Sequence, residues 1–357
     1  MPGVNELGPV TAEAGTPLYV AVKNRLIEAI RDGQFKPGDR LPSTQEISKL
    51  LQVSLVTSHR ALQELEQLGT VDRVQGRGTF VAEPDRAKAR QLRLKLVFQP
   101  EASLADYYHG QVLEGMNRGT RESDCELSII QDLSRTKAAC DGYILLNPLE
   151  SQVAAIRKAV RSDTPILIVG ARHESLPWID VDNEDAIDQA VQHAIGLGHE
   201  RIAFIGGADE LSNSRDRRRG FVRACERLGL PADHRHDVIA HAYRLDREER
   251  DAVTRLLGMA DRPTAIVTGG YHLALDLYTI ANTLALEIPS DLSLIGVDDP
   301  PSAAHLDPPM TTLQQPLVQL GHAAVHRLVE SVQTQSPLPP RQSLRATLAI
   351  RRSSGAR

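Results

Sequence analysis

A chain of 357 residues with 41% hydrophobic content is longer than one small domain needs, so at least two folded units are expected. Its formal charge of −5 excludes a general electrostatic grip on nucleic acid, leaving any DNA contact to a local basic surface. Cys125, Cys140 and Cys225 lie far apart without C-x-x-C or Cys/His spacing, which argues against a disulfide framework or a zinc site and for a reducing cytoplasm. Glu6 and Glu13 stand where a signal peptide needs an apolar core, and no run of about 18 apolar residues occurs, so no membrane crossing is expected.

Leu18, Val22, Leu26 and Ile30 recur at helical spacing, and Gly33 with Pro37-Gly38 stops that first helix. The stretch Pro37-Gly38-Asp39-Arg40-Leu41-Pro42-Ser43 leads to a second, short helix. Ser43 stands as its N-cap with Glu46 three residues on, and Ile47, Leu50 and Leu51 form its apolar face. Ser54 caps a third helix, in which Val56, Ala61, Leu62, Leu65 and Leu68 are expected on the buried side before Gly69 ends it. Val74-Gln75-Gly76-Arg77-Gly78-Thr79-Phe80-Val81 reads as a hairpin with a glycine tip.

Residues 1–83 thus predict a winged helix-turn-helix that sets its third helix in a DNA major groove. The exposed early face of that helix is expected to offer Thr57, Ser58, His59 and Arg60, which suit phosphate oxygens and base edges; an ordinary wet surface is the alternative. A basic linker follows at 84–91. From 84 to 95 the chain carries Arg86, Lys88, Arg90, Arg93 and Lys95 against Asp85, beside Arg73 and Arg77, for phosphate contact or for solvation alone.

Leu41-Pro42-Ser43, Val53-Ser54, Thr57, Arg60-Ala61-Leu62-x-x-Leu65 and Gly76-x-Gly78-Thr79-Phe80-Val81 resemble the winged helix-turn-helix of the GntR family over residues 17–82. Where that family often has Glu-Arg after Leu-Pro-Ser this chain has Thr44-Gln45, and where it often has Arg after Val-Ser it has Leu55. The resemblance implies that two customary DNA-contacting arginines are replaced. Arg40, Gln45, Thr57, His59, Arg60 and Arg77 are left to carry contacts, with Ser43, Ser54, Gln75 and Gly76 completing the candidate DNA-binding set.

From Leu92 onward, short apolar runs at 94–98, 126–130, 142–146, 165–169 and 201–205 alternate with amphipathic stretches, indicating βα units and parallel sheet. Further strands fit 238–240, 264–268 and 292–297, and helices fit 107–122, 183–197 and 272–284. In open α/β sheets ligands bind beyond the carboxyl ends of strands, which singles out Gln99, Asn147, Gly170, Gly206, Gly269 and Asp298.

Trp178-Ile179-Asp180-Val181-Asp182-Asn183, Gly196-Leu197-Gly198-His199-x-Arg201-Ile202-Ala203-Phe204-Ile205-Gly206-Gly207, Arg217-x-x-Gly220-Phe221, Pro263-Thr264-Ala265, Ile288-Pro289-x-Asp291-Leu292-Ser293-Leu294-Ile295-Gly296-Val297-Asp298-Asp299 and Pro309-x-Thr311-Thr312-Leu313 follow one another in this order. Together they resemble the effector domain of LacI-type repressors, which is similar to periplasmic sugar-binding proteins. The resemblance implies an α/β fold of two lobes over 92–350, with two parallel sheets flanked by helices, and a tail at 351–357. It also implies that Arg217 and Asp298 hold effector hydroxyls across the cleft, as a guanidinium donating and a carboxylate accepting can do.

For Arg217, with Arg215, Arg218 and Arg219 beside it, the alternative is a solvated helix face; for Asp298 it is a loop carboxylate. Asn147, Tyr271 and Trp178 complete the candidate effector set, Tyr271 to stack on a ring or fill space, Trp178 as an aromatic wall or a core residue. After the 264–268 strand the family usually shows Asn-Asp, whereas this chain has Gly270-Tyr271.

The expected function is sequence-specific DNA binding by a repressor that answers to a small polar ligand, a sugar in the first instance, without cofactor or metal. A homodimer is expected because one head reads half a palindrome. Two rivals stand beside it: a second domain that only dimerises, and an enzyme using Asp298 and Asp299, for which no Gly-x-Ser-x-Gly elbow, P-loop or pyridoxal lysine motif is present.

Overall fold

A computed structural model describes residues 10, 17–74, 77–82, 91–98, 106–130, 140–231 and 235–357. They belong to two compact units, Met1–Gln91 and Leu92–Arg357.

The first unit runs α1 (Leu18–Arg31), α2 (Thr44–Leu50), α3 (Leu55–Gln67), β1 (Val71–Val74) and β2 (Gly78–Val81). Ser43 and Glu46 close a capping box at the start of α2, and the Ser54 side chain accepts from the Thr57 backbone at the start of α3. Val22, Leu26, Ile47, Leu51, Ala61, Leu62, Leu65 and Val71 form the core. Two expectations for α3 need correction. Val56 is 77% exposed and Leu68 45%, while Ser58, expected on the outer face, is fully buried and donates to the Ser54 carbonyl at 3.2 Å. The reason is phase: positions 58, 61, 62 and 65 form one i, i+3, i+4, i+7 stripe, and Val56 falls outside it.

The wing is broader than a hairpin. β1 and β2 pair antiparallel from Val71↔Val81 to Val74↔Gly78. Gly38 and Leu41 then donate to the carbonyls of Val81 and Thr79, and Arg40 bridges Phe80, so the turn before α2 adds a third edge.

The second unit holds two six-stranded sheets. The N-terminal lobe contains β3 (Leu92–Val97), β4 (Cys125–Ile130), β5 (Gly142–Leu146), β6 (Ile166–Val169), β7 (Trp178–Val181) and β13 (Arg341–Leu344), in the order β13-β7-β6-β5-β3-β4 and parallel throughout. Its helices are α4 (Tyr107–Glu122), α5 (Glu150–Ala159) and α10 (Leu317–Thr334).

The C-terminal lobe contains β8 (Ile202–Gly206), β9 (Arg235–Ile239), β10 (Ala265–Thr268), β11 (Ser293–Val297), β12 (Thr311–Gln314) and β14 (Thr347–Ala349). Its helices are α6 (Asn183–Gly196), α7 (Ser212–Arg227), α8 (Arg247–Leu257) and α9 (Tyr271–Thr283). The strand order is β14-β12-β11-β10-β8-β9, and β14 departs from the parallel pattern by running antiparallel to β12. The chain changes lobes after β7, after β12 and between β13 and β14. Central strands such as β5, β8 and β11 are buried along their whole length, as helices on both faces require.

The segment 351–357, expected as a tail, is built into the C-terminal lobe. Leu294 donates to the Ser353 carbonyl at 2.7 Å, Arg351 grips Asp299 with two bonds of 2.8 and 2.9 Å, and Arg357 donates to the Leu197 carbonyl. Polar residues held by hydrogen bonds leave no hydrophobic period to read. Lys95, counted with the basic run, lies inside β3 and is 7% exposed, its ammonium 5.9 Å from the Tyr143 ring centroid. Arg86, Lys88 and Arg90 fall outside the described residues.

Helices α4 and α10 touch backbone to backbone. A Cβ on Gly115 would stand 2.0 Å from the Val318 carbonyl oxygen, and one on Gly321 1.9 Å from that of Val112. Neither neighbour is a flexible side chain that could swing away. Gly321→Ala should therefore lower stability by about 2 kcal/mol or more, as forced overpacking does. Gly196→Ala, where an added Cβ meets nothing within 4 Å, should be neutral or slightly stabilising. Urea denaturation of the two variants checks the contrast.

Candidate DNA-binding and effector sites

On the first unit, Gln45, His59, Arg60 and Arg77 are exposed and Thr57 is half-buried. Arg60 lies over the Tyr19 ring at 4.0 Å, so α1 holds its guanidinium in place at the side of α3. Arg40 belongs to the wing: a Cβ on Gly78 would meet its Nε at 2.8 Å, so the glycine makes room for the arginine. Ser43 and Ser54 are engaged as caps, their hydroxyls accepting from Glu46 and Thr57 at 3.3 and 3.0 Å, and Ser54 also bonds the Thr57 hydroxyl at 2.7 Å. Gln75 and Gly76 lie outside the described residues. Sequence reasoning missed one feature here: Leu55 and Val56 stand 52% and 77% exposed at the first turn of α3. Apolar groups at that place fit the methyl of thymine.

In the second unit Arg217, Asp298 and Asn147 lie where the two lobes meet, and Trp178 does not join them. Arg217, on α7, is 4% exposed; its Nε donates to the Asn183 side chain at 2.8 Å and one Nη to the Gly269 carbonyl at 2.6 Å. Asn183, at the crossover after β7, donates in turn to Asp180 at 3.1 Å. The solvated helix face that was the alternative for Arg217 describes Arg215, Arg218 and Arg219 instead, which pair at the surface with the Asp209 carbonyl, Asp237 and Glu184. Asp298, half-buried after β11 with φ of 71°, accepts from Gln315 at 2.5 Å. Burial raises its carboxyl, and the Arg217 charge and the Gln315 bond act against that rise.

On the N-terminal lobe, Asn147 follows β5 and accepts from the Tyr108 hydroxyl at 3.4 Å. Tyr271 lies farther out, its hydroxyl bonded to Ser302 at 2.7 Å. Trp178 is a core residue: 7% exposed, it packs with Val97, Tyr143, Ile156 and Ile168, and the Arg172 guanidinium lies over its ring at 5.5 Å. A buried ring at the start of β7 offers a ligand little wall, because a ligand needs the other end of the strand. Asp299, paired with Arg351 and accepting from Thr312 at 2.9 Å, has both oxygens engaged.

Tyr108, Asp180, Asn183 and Tyr243 were not singled out from sequence. Tyr243 sits in an irregular segment with no periodicity to betray it. Its hydroxyl bonds Ser214 at 2.8 Å and Asn213 at 3.1 Å, and its ring lies so close that a Cβ on Gly207 or Gly270 would come within 2.8 Å. Gly270, the departure from the usual Asn, is thus the space that Tyr243 occupies. The lobes are also tied directly. Arg172, after β6, reaches Asp182, Glu184 and Asp216 at 3.3, 3.6 and 3.0 Å, and Asp106 on the N-terminal lobe approaches His272 at 3.5 Å.

Asp180 carries a titration consequence. It is 2% exposed, and burial pushes its carboxyl from 3.8 up to about 7, against the Val181 backbone bond and the charges of Arg217 and Arg172. The folded protein therefore retains a proton that the unfolded chain has released between about pH 4 and 7, so this group makes stability fall as pH rises through that window. The slope approaches about 1.4 kcal/mol per pH unit. Asp180→Asn should remove that component. Unfolding free energy measured from pH 4 to 7 should decline less steeply than in the wild type, and a uniform loss of stability would leave the slope unchanged.

The model for bacterial regulatory proteins of the gntR family matches residues 18–81, and that for the periplasmic binding protein-like domain matches residues 191–354. The chain is 28% identical to the arabinose metabolism transcriptional repressor of Geobacillus stearothermophilus, across 91% of this chain and 93% of that protein. It is likewise 28% identical to the transcriptional repressor CytR of Escherichia coli, across 88% and 93%. Among solved structures, the transcriptional regulator CelR in complex with cellobiose superposes with a TM-score of 0.65 at 22% identity, covering 86% of this chain and 93% of that one. No helix among the described residues is long and apolar enough to cross a membrane. The chain thus joins a helix-turn-helix unit of the gntR type to a periplasmic-binding-protein-like domain, and the relatives it matches over nearly its whole length are transcriptional repressors.

Proposed function

We propose that this protein is a cytoplasmic transcriptional repressor, a homodimer on operator DNA, whose two-lobed domain binds a small sugar and thereby changes operator affinity. The observation that carries the proposal is that Tyr108, bonded to Asn147 on the N-terminal lobe, lies within electrostatic reach of Arg217 and Asp298 on the C-terminal lobe, where the chain crosses between lobes three times. A guanidinium, a carboxylate, an amide and a phenol together offer donors and acceptors to a polyol from both lobes. The namesake role of the arabinose repressor relative supports a sugar as the ligand class. A sugar that favours the closed lobes would shift operator affinity by as much as its preference for one state over the other. About 1 to 3 kcal/mol, roughly 5- to 150-fold, is enough for regulation. In this reading Asp180 and Asn183 position Arg217, and Tyr243 shapes the C-terminal wall.

The test uses the full-length protein and an operator selected from genomic fragments, titrated by fluorescence anisotropy with and without a panel of mono- and oligosaccharides and sugar phosphates. Arg60→Ala should weaken operator binding, by about 1 to 3 kcal/mol if it reads a base, and leave sugar binding untouched. Arg217→Lys should do the reverse. Arg217→Ala would leave Asn183 and Gly269 short of a donor, so the lysine variant carries the test and thermal unfolding of both controls for the fold. A flat sugar panel would favour a second domain that serves dimerisation alone.

A further inference from the structure

We propose that Glu122, His322 and His326 bind a divalent transition-metal ion of the zinc class on the surface of the N-terminal lobe. His322 and His326 are one turn apart on α10, and their ring centroids lie 4.4 Å from each other. Both present Nε2 to the same carboxylate oxygen of Glu122, the last residue of α4, at 2.8 and 3.1 Å. The three donor atoms lie within 4.8 Å of one another. Around a zinc ion with bonds of 2.0–2.1 Å, neighbouring tetrahedral ligands stand about 3.3 Å apart, so small side-chain rotations would admit the ion. Two imidazoles and a carboxylate suit zinc, nickel or cobalt, and three protein ligands leave a fourth position for water.

The scaffold is set in advance. Gly115 and Gly321 bring α4 and α10 into backbone contact, and Gly119 lies against Val325, so the end of one helix cannot slide along the other. The three side chains are 37–57% exposed, which gives an ion access without opening the core. Neither local motif nor spacing reveals the set, because Glu122 stands 200 positions before His322. The expectation that this chain holds no metal site came from reading Cys and His along the sequence, and this site is assembled across it.

A second group, His241, Asp246 and Glu249, also brings three donors together, and it serves as the control. Both Glu249 oxygens are already occupied: one accepts from the His241 backbone at 2.7 Å, the other from the Asp246 backbone at 2.8 Å in the cap of α8.

The experiment titrates untagged, chelator-stripped full-length protein with Zn²⁺ by calorimetry, and in parallel follows the thermal midpoint with and without Zn²⁺. The expected result is saturable binding of one equivalent and a raised midpoint, since an ion that binds only the folded state stabilises it. Both effects should be lost in His322→Ala and His326→Ala, weakened in Glu122→Gln and kept in His241→Ala. Absence of saturable binding in the wild type, unchanged binding in the His322→Ala/His326→Ala double variant, or loss in His241→Ala alone would overturn the proposal. The metal-free midpoint of each variant shows that it folds.

Discussion

The bond from Arg217 to Asn183 holds the second unit together at the place where the chain first leaves one lobe for the other. Asn183 opens α6 directly after the crossover from β7, and Arg217 belongs to α7 and also grips the carbonyl that ends β10. One buried guanidinium thereby fixes a crossover, a helix and a strand end. Its hydrogen-bonded partners are neutral, and its charge acts at longer range on Asp180 and Asp298, whose carboxyls both feel it. Burial raises both acids, because each loses more by leaving water than the one arginine returns. The cleft thus holds a cation that is already oriented beside two carboxyls that burial holds above their ordinary range.

What the sequence made legible follows from what has a period. The strand 142–146 and the helix 107–122 have the bounds expected, since buried parallel strands read as apolar runs and amphipathic helices as stripes. The Ser43–Glu46 capping box was readable because its chemistry is local. Ser58 and Val56 were misassigned because the choice between two adjacent phases of a short helix depends on what packs over it, and Ala61, Leu62 and Leu65 decide that only once α1 is in place. Residues 351–357 were read as a tail because polar side chains and backbone groups with partners far away in sequence hold them, which leaves no apolar period.

The candidate site was legible in part for the same reason. Arg217 and Asp298 lie in stretches whose order resembles a family, and each stands beside a recognisable strand or helix. Tyr243 does not. The hint to it was negative, a glycine at 270 where an amide would be expected, and the tyrosine that fills the space there and beside Gly207 comes from a segment without pattern. Replacing an amide by a glycine therefore leaves no hole. The amide's donor and acceptor are gone, and an aromatic ring held by Asn213 and Ser214 stands in their place. A sugar that depended on that amide would lose an oriented partner, whereas one with an apolar face would gain a surface to lie on.

The DNA-binding head shows a parallel exchange of polar for apolar contact. Gln45 and Leu55 stand where the GntR resemblance leads one to expect arginines, and Leu55 and Val56 are the exposed apolar residues at the first turn of α3. Each lost phosphate contact removes about one released counterion, so affinity should depend less steeply on salt than in a head with both arginines. In the proposed DNA complex discrimination would move toward methyl groups and shape, which are read at short range. Arg60, steadied by Tyr19, and Arg40, seated on the wing, supply positive charge on the helix side and the wing side of the same unit. In the proposed DNA complex these two positioned cations would orient the head, and the apolar first turn of α3 would bear on the choice of sequence.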